Sequence, residues 1–241
     1  MLVYRYLQQI LYNLDNRNFW DGEEVKLFRS IVQILLSNTI DQSSQIERFQ
    51  EYLEYHDVKQ HVIQGMAKIV HSCGKKNLNS SQFRSNAMKL LELLDFRDPK
   101  DTKEEISTLL CKNATYNYEH ENVKKSFSSL WEDFIKLNSK DVDLYKRMLI
   151  ILHDKVMPQL IRPLMLTDFL IESYNVGGSI SLLALNGVFH LMDKYNLEYP
   201  DFYQVIRSFI NQIQFDSNFL IYKRYQISNN NKYFRRNSML L

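Results

Sequence analysis

At 241 residues, 45% of them apolar, the chain can enclose a sizeable hydrophobic core, while its 6 Gly and 4 Pro are too few for the turns of a β-rich fold. The 30 Lys and Arg against 28 Asp and Glu leave a net charge of +2, which excludes a uniformly basic nucleic-acid-binding surface. Cys73 and Cys111 are the only cysteines, which excludes a disulfide framework and a four-thiolate metal site.

In chain order, Leu2, Leu7, Ile10, Leu11 and Leu14 fall near helical spacing and predict a first amphipathic helix. The opening residues carry Arg5, Gln8 and Gln9 where a signal peptide needs an unbroken apolar core. No apolar run approaches the roughly 20 residues of a membrane span, so the expectation is a soluble intracellular chain. Val25, Phe28, Ile31, Val32, Leu35 and Leu36 repeat the helical pattern, with Asp21 and Glu24 spaced for a capping box. Ile46, Phe49, Tyr52 and Leu53 predict a third helix. Val58, Val62, Met66, Ile69 and Val70 predict a fourth, closed by Gly74. Ala87, Leu90, Leu91 and Leu94 mark a helix that stops before Pro99. Asp98 and Pro99 then open another, with Glu104 and Glu105 near its positive end, which runs to Cys111. Residues 113–122 read as a loop or repeat boundary.

Val123, Phe127, Leu130, Trp131, Phe134, Ile135 and Leu137 form a strong apolar stripe. Ser139 is placed to cap a helix in which Val142, Tyr145, Met148, Leu149 and Leu152 face inward until Pro158. Thr167 is placed to cap a short helix through Phe169, Leu170 and Ile171, broken by Gly177 and Gly178. Ile180, Leu182, Leu183, Leu185, Val188, Phe189, Leu191 and Met192 cover almost every side of the next helix, which predicts an inner one. Gly178, Ser181, Ala184 and Gly187 recur every third position, a low ridge where a neighbouring helix can seat. A last helix starts at Pro200 and uses Phe202, Val205, Ile206 and Ile213. The fold class is all-α, either a helical-repeat (HEAT/armadillo-like) solenoid or an irregular antiparallel helix bundle.

Chemical motifs are scarce. Gly177 and Gly178 have no phosphate-binding fingerprint around them and read as a helix joint. The spacings of His71 with Cys73 and of His56 with His61 lack the further ligands a zinc site needs. His153 and Asp154 are neighbours on a helix, pointing about 100° apart, so neither can orient the other for catalysis. No catalytic residue, cofactor or metal is expected. Tyr199, Pro200, Phe202 and Tyr203 are either a hydrophobic staple at a helix start or aromatic anchors for a protein partner, and the same two readings hold for Tyr174. After Asp216 no acid remains, and Lys223, Arg224, Lys232, Arg235 and Arg236 alternate with aromatic rings. That tail is either an RNA contact or a solvated, flexible end.

The run Ile-Ser-Leu-Leu-Ala-Leu-Asn at 180–186, followed by Asn-Leu-Glu-Tyr-Pro-Asp-Phe-Tyr at 196–203, resembles the CCAAT-binding-factor domain of the nucleolar complex proteins. Asp-Phe-Leu at 168–170 and Tyr-Asn-Val-Gly-Gly at 174–178 are most similar to the branch of that family serving small-subunit assembly, and residues 145–158 extend the resemblance back to about Val123. The resemblance implies a non-enzymatic scaffold of the nucleus and nucleolus, acting in pre-rRNA processing and 40S assembly within the small-subunit processome. Its implied partners are another nucleolar small-subunit assembly factor and pre-ribosomal particles, with no membrane and no small-molecule ligand.

Carried over residue by residue, the resemblance gives Asp168, Phe169, Tyr174, Gly177, Gly178, Ser181, Leu182, Ala184, Leu185, Asn186, Tyr199, Pro200, Phe202 and Tyr203 packing or partner-facing roles. The implied organisation is helical repeats over 1–120, the family-like helical domain over 121–215, and a basic polar tail over 216–241. Two features depart from the family. Asn175 stands where Asp is usual, and the chain turns polar after about Leu220 where the family's domain continues, so it reads as truncated at its C-terminus.

Overall fold

A computed structural model describes residues 5–10, 12, 20, 22–76, 80–96, 109–110, 120–137 and 141–198. The backbone divides into two compact units, 1–196 and 197–241, and the second lies almost wholly outside the described residues. Every regular element among the described residues is helical, in agreement with the all-α expectation. After a helical turn at 5–10, which buries Leu7 and Ile10, come α1 (Gly22–Leu35), α2 (Ser43–Phe49), α3 (His56–Lys76), α4 (Ser81–Leu93), α5 (His120–Leu137), α6 (Val142–Ile151), α7 (Thr167–Asn175) and α8 (Gly178–Tyr195). A π turn, Leu152–Val156, and a 3-10 turn, Met157–Gln159, continue α6, and a second 3-10 turn, Pro163–Leu166, leads into α7.

The pairing of these helices follows a rule. Phe28 of α1 meets His61 of α3, and four residues on Val32 meets Gly65, so α1 and α3 run parallel. α3 and α5 pack along each other, and His71 and Asp133, each near the C-terminal end of its helix, meet at 2.8 Å, so α3 and α5 are parallel too. The even helices repeat this. Gln42 and Glu47 meet Asn86 and Lys89, and Arg84 and Glu92 meet Asp141 and Arg147. Odd helices stacked parallel on odd, and even on even, describe helical hairpins piled on one another, which is how repeat proteins bury faces that no hairpin can bury alone. The described residues fit both the helical-repeat and the bundle expectation.

The most enclosed helix is α3. It packs along both α1 and α5 and buries Val58, Val62, Ile63, Met66 and Val70 together with the polar Asp57 and Gln60. The expectation of an inner helix at 180–192 needs correcting. α8 packs on α6 and α7, but its Leu182, Leu183, Phe189 and Met192 are only half-buried. Hydropathy ranked α8 above α3 because α3 also buries polar side chains, of which Asp57 accepts hydrogen bonds from Trp20, Val58 and Leu110.

Several helix ends also differ from expectation. Gly74 lies inside α3, which continues to Lys76. The cap of α6 is Asp141, whose carboxylate accepts from Leu144 N at 3.2 Å, and Ser139 lies outside the described residues. Val142, next to that cap, is 59% exposed because it sits in the first turn on the side away from Leu144, Tyr145 and Met148. Thr167 is the first helical residue rather than a cap, and its hydroxyl donates back to Leu164 O. Asp21 and the helices led by Pro99 and Pro200 lie outside the described residues.

Buried polar side chains tie the layers. Asn86, 1% exposed, uses its whole amide: Nδ2 donates to Ser37 O at 3.0 Å and Ile40 O at 2.9 Å, while Oδ1 accepts from Gln42 N and Gln82 Nε2, each at 3.1 Å. It thereby holds the α1–α2 connection against α4. Ser80 works similarly, accepting from Phe83 N to cap α4 while its hydroxyl donates to Asn38 O. Because Asn86→Ala removes four hydrogen bonds made by a buried side chain, it is expected to lower unfolding free energy by about 3 kcal/mol in urea titrations. Lys89→Ala, which removes the more exposed ion pair with Glu47, is expected to cost below about 1 kcal/mol.

His61 packs against Trp20 with ring centroids 4.3 Å apart, and burial pushes its imidazole down to about 4, the Asp57 carboxylate pulling partly the other way. The fold thus favours neutral His61, whereas the unfolded chain takes up this proton near 6.5. The associated stability is present above pH 6.5 and is lost as pH falls toward 4, a total of about 3 kcal/mol. Denaturation midpoints measured across that window should fall less steeply in His61→Gln than in the wild type.

Candidate functional site

The residues carrying the family resemblance converge on the hairpin of α7 and α8. Its joint follows from glycine chemistry. Gly177 has φ 92° and ψ 174° and Gly178 has φ 60°, both in regions that favour glycine, and nothing lies within 4 Å of a Cβ at either. The exposed tip lets the chain reverse within two residues. Tyr174 supplies the inner side of the turn: its carbonyl accepts from Gly177 N at 3.4 Å and from the Ser181 hydroxyl. Ser173, buried one position earlier, donates its hydroxyl to Phe169 O at 2.7 Å. The Tyr-Asn-Val-Gly-Gly run thus encodes a reverse turn between helices.

The small-residue ridge seats α7. Ser181, Ala184 and Gly187 are buried, and a Cβ on Gly187 would stand 2.7 Å from Leu170 Cδ2 and 3.5 Å from Met157 Cε. The close approach is made by a side chain entering the gap rather than by two backbones. Phe169 packs its ring on Tyr145 of α6 at 5.1 Å, and burial raises the Tyr145 phenol above its usual value, with Glu172 adding to the effect. Leu185 is buried, Leu182 and Asn186 are half-buried, and Asp168 is exposed, as is Asn175 at the last residue of α7. Tyr174 is half-buried. Tyr199, Pro200, Phe202 and Tyr203, and the basic Lys223, Arg224, Lys232, Arg235 and Arg236, lie outside the described residues.

One group of side chains at this hairpin carried no signal in the sequence. His153, on the π turn, places Nε2 3.2 Å from Asn186 Nδ2, and its ring lies 6.3 Å from that of His190; against the expectation that His153 and Asp154 point apart, Nε2 also lies 3.3 Å from Asp154 Oδ2, because both sit on a π turn rather than an α-helix. Tyr195 donates to Met157 O at 3.3 Å from the end of α8. The residues are distant in sequence, and only the π turn brings them together. No trio of His, Cys, Asp or Glu among the described residues is placed to hold a metal ion, and no described helix is long and apolar enough to cross a membrane.

Packing at Gly187 sets a test of the ridge. Gly187→Val drives a branched side chain into Leu170 and is expected to destabilise by roughly 2–3 kcal/mol. Combining it with Leu170→Ala should recover part of that loss, which a double-mutant cycle in denaturant would read as coupling of about 1 kcal/mol or more.

No family model matches the chain. It is similar to the human "Nucleolar complex protein 4 homolog", 36% identical over 194 residues that make up 77% of this chain and 37% of that protein. The Xenopus laevis "Nucleolar complex protein 4 homolog B" is 37% identical over 195 residues, 77% of this chain and 36% of the relative. The Arabidopsis thaliana "Protein NUCLEOLAR COMPLEX ASSOCIATED 4" is 38% identical over 107 residues, 44% of this chain and 18% of that protein. The chain spans little more than a third of the length of the human and frog relatives. These matches identify the chain as a member of the nucleolar complex protein 4 family, homologous to one segment of its longer relatives.

Proposed function

We propose that the chain works in the nucleolus as a non-enzymatic helical scaffold in small-subunit assembly, binding another processome factor and pre-ribosomal particles during pre-rRNA processing. The observation that supports this reading is the match, over about three quarters of the chain, to proteins named for a nucleolar complex. The stack of hairpins is compatible with it: such an arrangement offers long helical flanks for protein contact. Tyr174, Tyr199, Pro200, Phe202 and Tyr203 are the proposed anchors, since rigid aromatic side chains carry much of the energy at protein interfaces. Phe169, Ser181, Leu182, Ala184 and Leu185 support Tyr174 through the packing of the α7–α8 hairpin.

A second reading, direct contact with pre-rRNA, is favoured by charge segregation. Lys223, Arg224, Lys232, Arg235 and Arg236 are followed or preceded by no acid after Asp216, and such a segment can neutralise phosphates while its rings stack on bases.

A tagged full chain should concentrate in nucleoli and co-sediment with small-subunit precursors. Tyr199→Ala combined with Phe202→Ala should reduce the co-purified assembly factor by about tenfold without changing thermal stability. Diffuse distribution with no pre-ribosomal association overturns the scaffold reading. Removing residues 217–241 separates the two readings, because RNA contact by the tail requires weaker association with a shallower salt dependence.

A further inference from the structure

The starts of α2, α4 and α6 lie side by side. Ser80, the cap of α4, donates its hydroxyl to Asn38 O at 2.7 Å, which joins the α1–α2 connection to the start of α4. Arg84, at the first turn of α4, meets Asp141, the cap of α6, at 3.7 Å. Because α4 packs on both α2 and α6, the three starts form one edge, and helix spacings of roughly 8–10 Å make it about 20 Å from the first start to the third.

This edge holds apolar side chains outward on a fixed backbone. In the α1–α2 connection Ser37 Oγ accepts from Thr39 N at 3.3 Å and from Ile40 N at 3.2 Å, while the Asn86 amide takes Ser37 O, Ile40 O and Gln42 N. The Ile40 side chain is left 59% exposed, and Val142, beside the Asp141 cap at the far end of the edge, is equally exposed. A backbone already fixed loses little conformational freedom when a partner binds. Each of the two is followed by an exposed carboxylate, Asp41 and Asp143. Hydrogen bonds from the side chain and backbone of Ser43 hold the Asp41 carboxyl below its ordinary value, so it stays ionised. Neither carboxylate is in an ion pair among the described residues, whereas the nearby Arg84, Lys89 and Lys136 are engaged with Asp141, Glu47 and Glu132.

We infer that this edge is a docking site for an extended, basic segment of a protein partner, whose apolar side chains cover Ile40 and Val142 while its lysines or arginines meet Asp41 and Asp143. An extended chain advances about 3.3 Å per residue, so about six residues span the edge. Asn38, Thr39 and Ser81, exposed on the same edge, offer hydrogen bonds to the backbone of that segment. RNA fits the described edge poorly, because its carboxylates repel phosphates and it presents no exposed ring for a base to stack on. The surface uses none of the anchors proposed above.

The photo-crosslinking amino acid p-benzoylphenylalanine, placed at Ile40 and separately at Val142 of the full chain in cells, tests the site. Mass spectrometry of the crosslinked peptides should find one segment of one partner from both positions, with Lys and Arg in excess over Asp and Glu and its two attachment points about six residues apart. Adding Asp41→Asn and Asp143→Lys should lower the crosslink yield about tenfold at an unchanged thermal midpoint, since Asn keeps an acceptor for Ser43 N. Asp143→Lys alone, which touches no bond of the α1–α2 connection, decides should the double variant lose stability. Crosslinks to RNA, to a second copy of this chain, to an acidic segment or to different proteins from the two positions overturn the proposal, as does no crosslink or an unaltered yield in the charge variant. No readout depends on Tyr199 or Phe202, so the outcome is separate from that of the scaffold test.

Discussion

The stack depends on one carboxylate. Asp57 is completely buried at the first turn of α3, where it accepts from Trp20 Nε1 at 2.9 Å, from Val58 N at 3.0 Å and from Leu110 N at 3.0 Å. A buried carboxylate without partners is costly, so these three donors have to arrive together. They come from the segment before α1, from α3 itself and from the segment before α5. Satisfying Asp57 therefore ties Trp20 and Leu110 to the first turn of α3. The position at the helix N-terminus helps, since the backbone dipole there favours negative charge.

The even layer is aligned by neutral and charged ties of the same logic. Asn86 secures the α1–α2 connection to α4, and the Arg147–Glu92 pair secures α4 to α6, with the guanidinium raised above its usual value mainly by its hydrogen bond to Glu92. Apolar burial alone would let parallel helices slide by a turn, because one Leu or Ile substitutes well for another. Directional hydrogen bonds with few alternatives specify the register.

The α7–α8 hairpin joins the stack by different means. Its two glycines make the reversal, the Tyr174 carbonyl closes it, and the ridge of Ser181, Ala184 and Gly187 accepts Leu170. The family resemblance is densest where backbone geometry and tight packing leave the fewest substitutes. That explains why those words are recognisable in a single sequence, and why they identify a family without by themselves identifying an interface.

Much of this was legible in the chain itself. The helical spacing of Phe28, Ile31, Val32 and Leu35, the stripe from Val123 to Phe134, and the Gly177–Gly178 break are local properties of propensity and periodicity, so the all-α class and most helix positions could be read directly. The central place of α3, the polar ties of Asp57 and Asn86, and the meeting of His153 with Asn186 and His190 could not. Each joins residues more than thirty positions apart, through groups whose sequence signal is that of ordinary surface polarity. Periodicity determines which face of a helix is apolar; which helix lies beside it, and which buried polar atom finds its donor, is decided only when the stack is assembled.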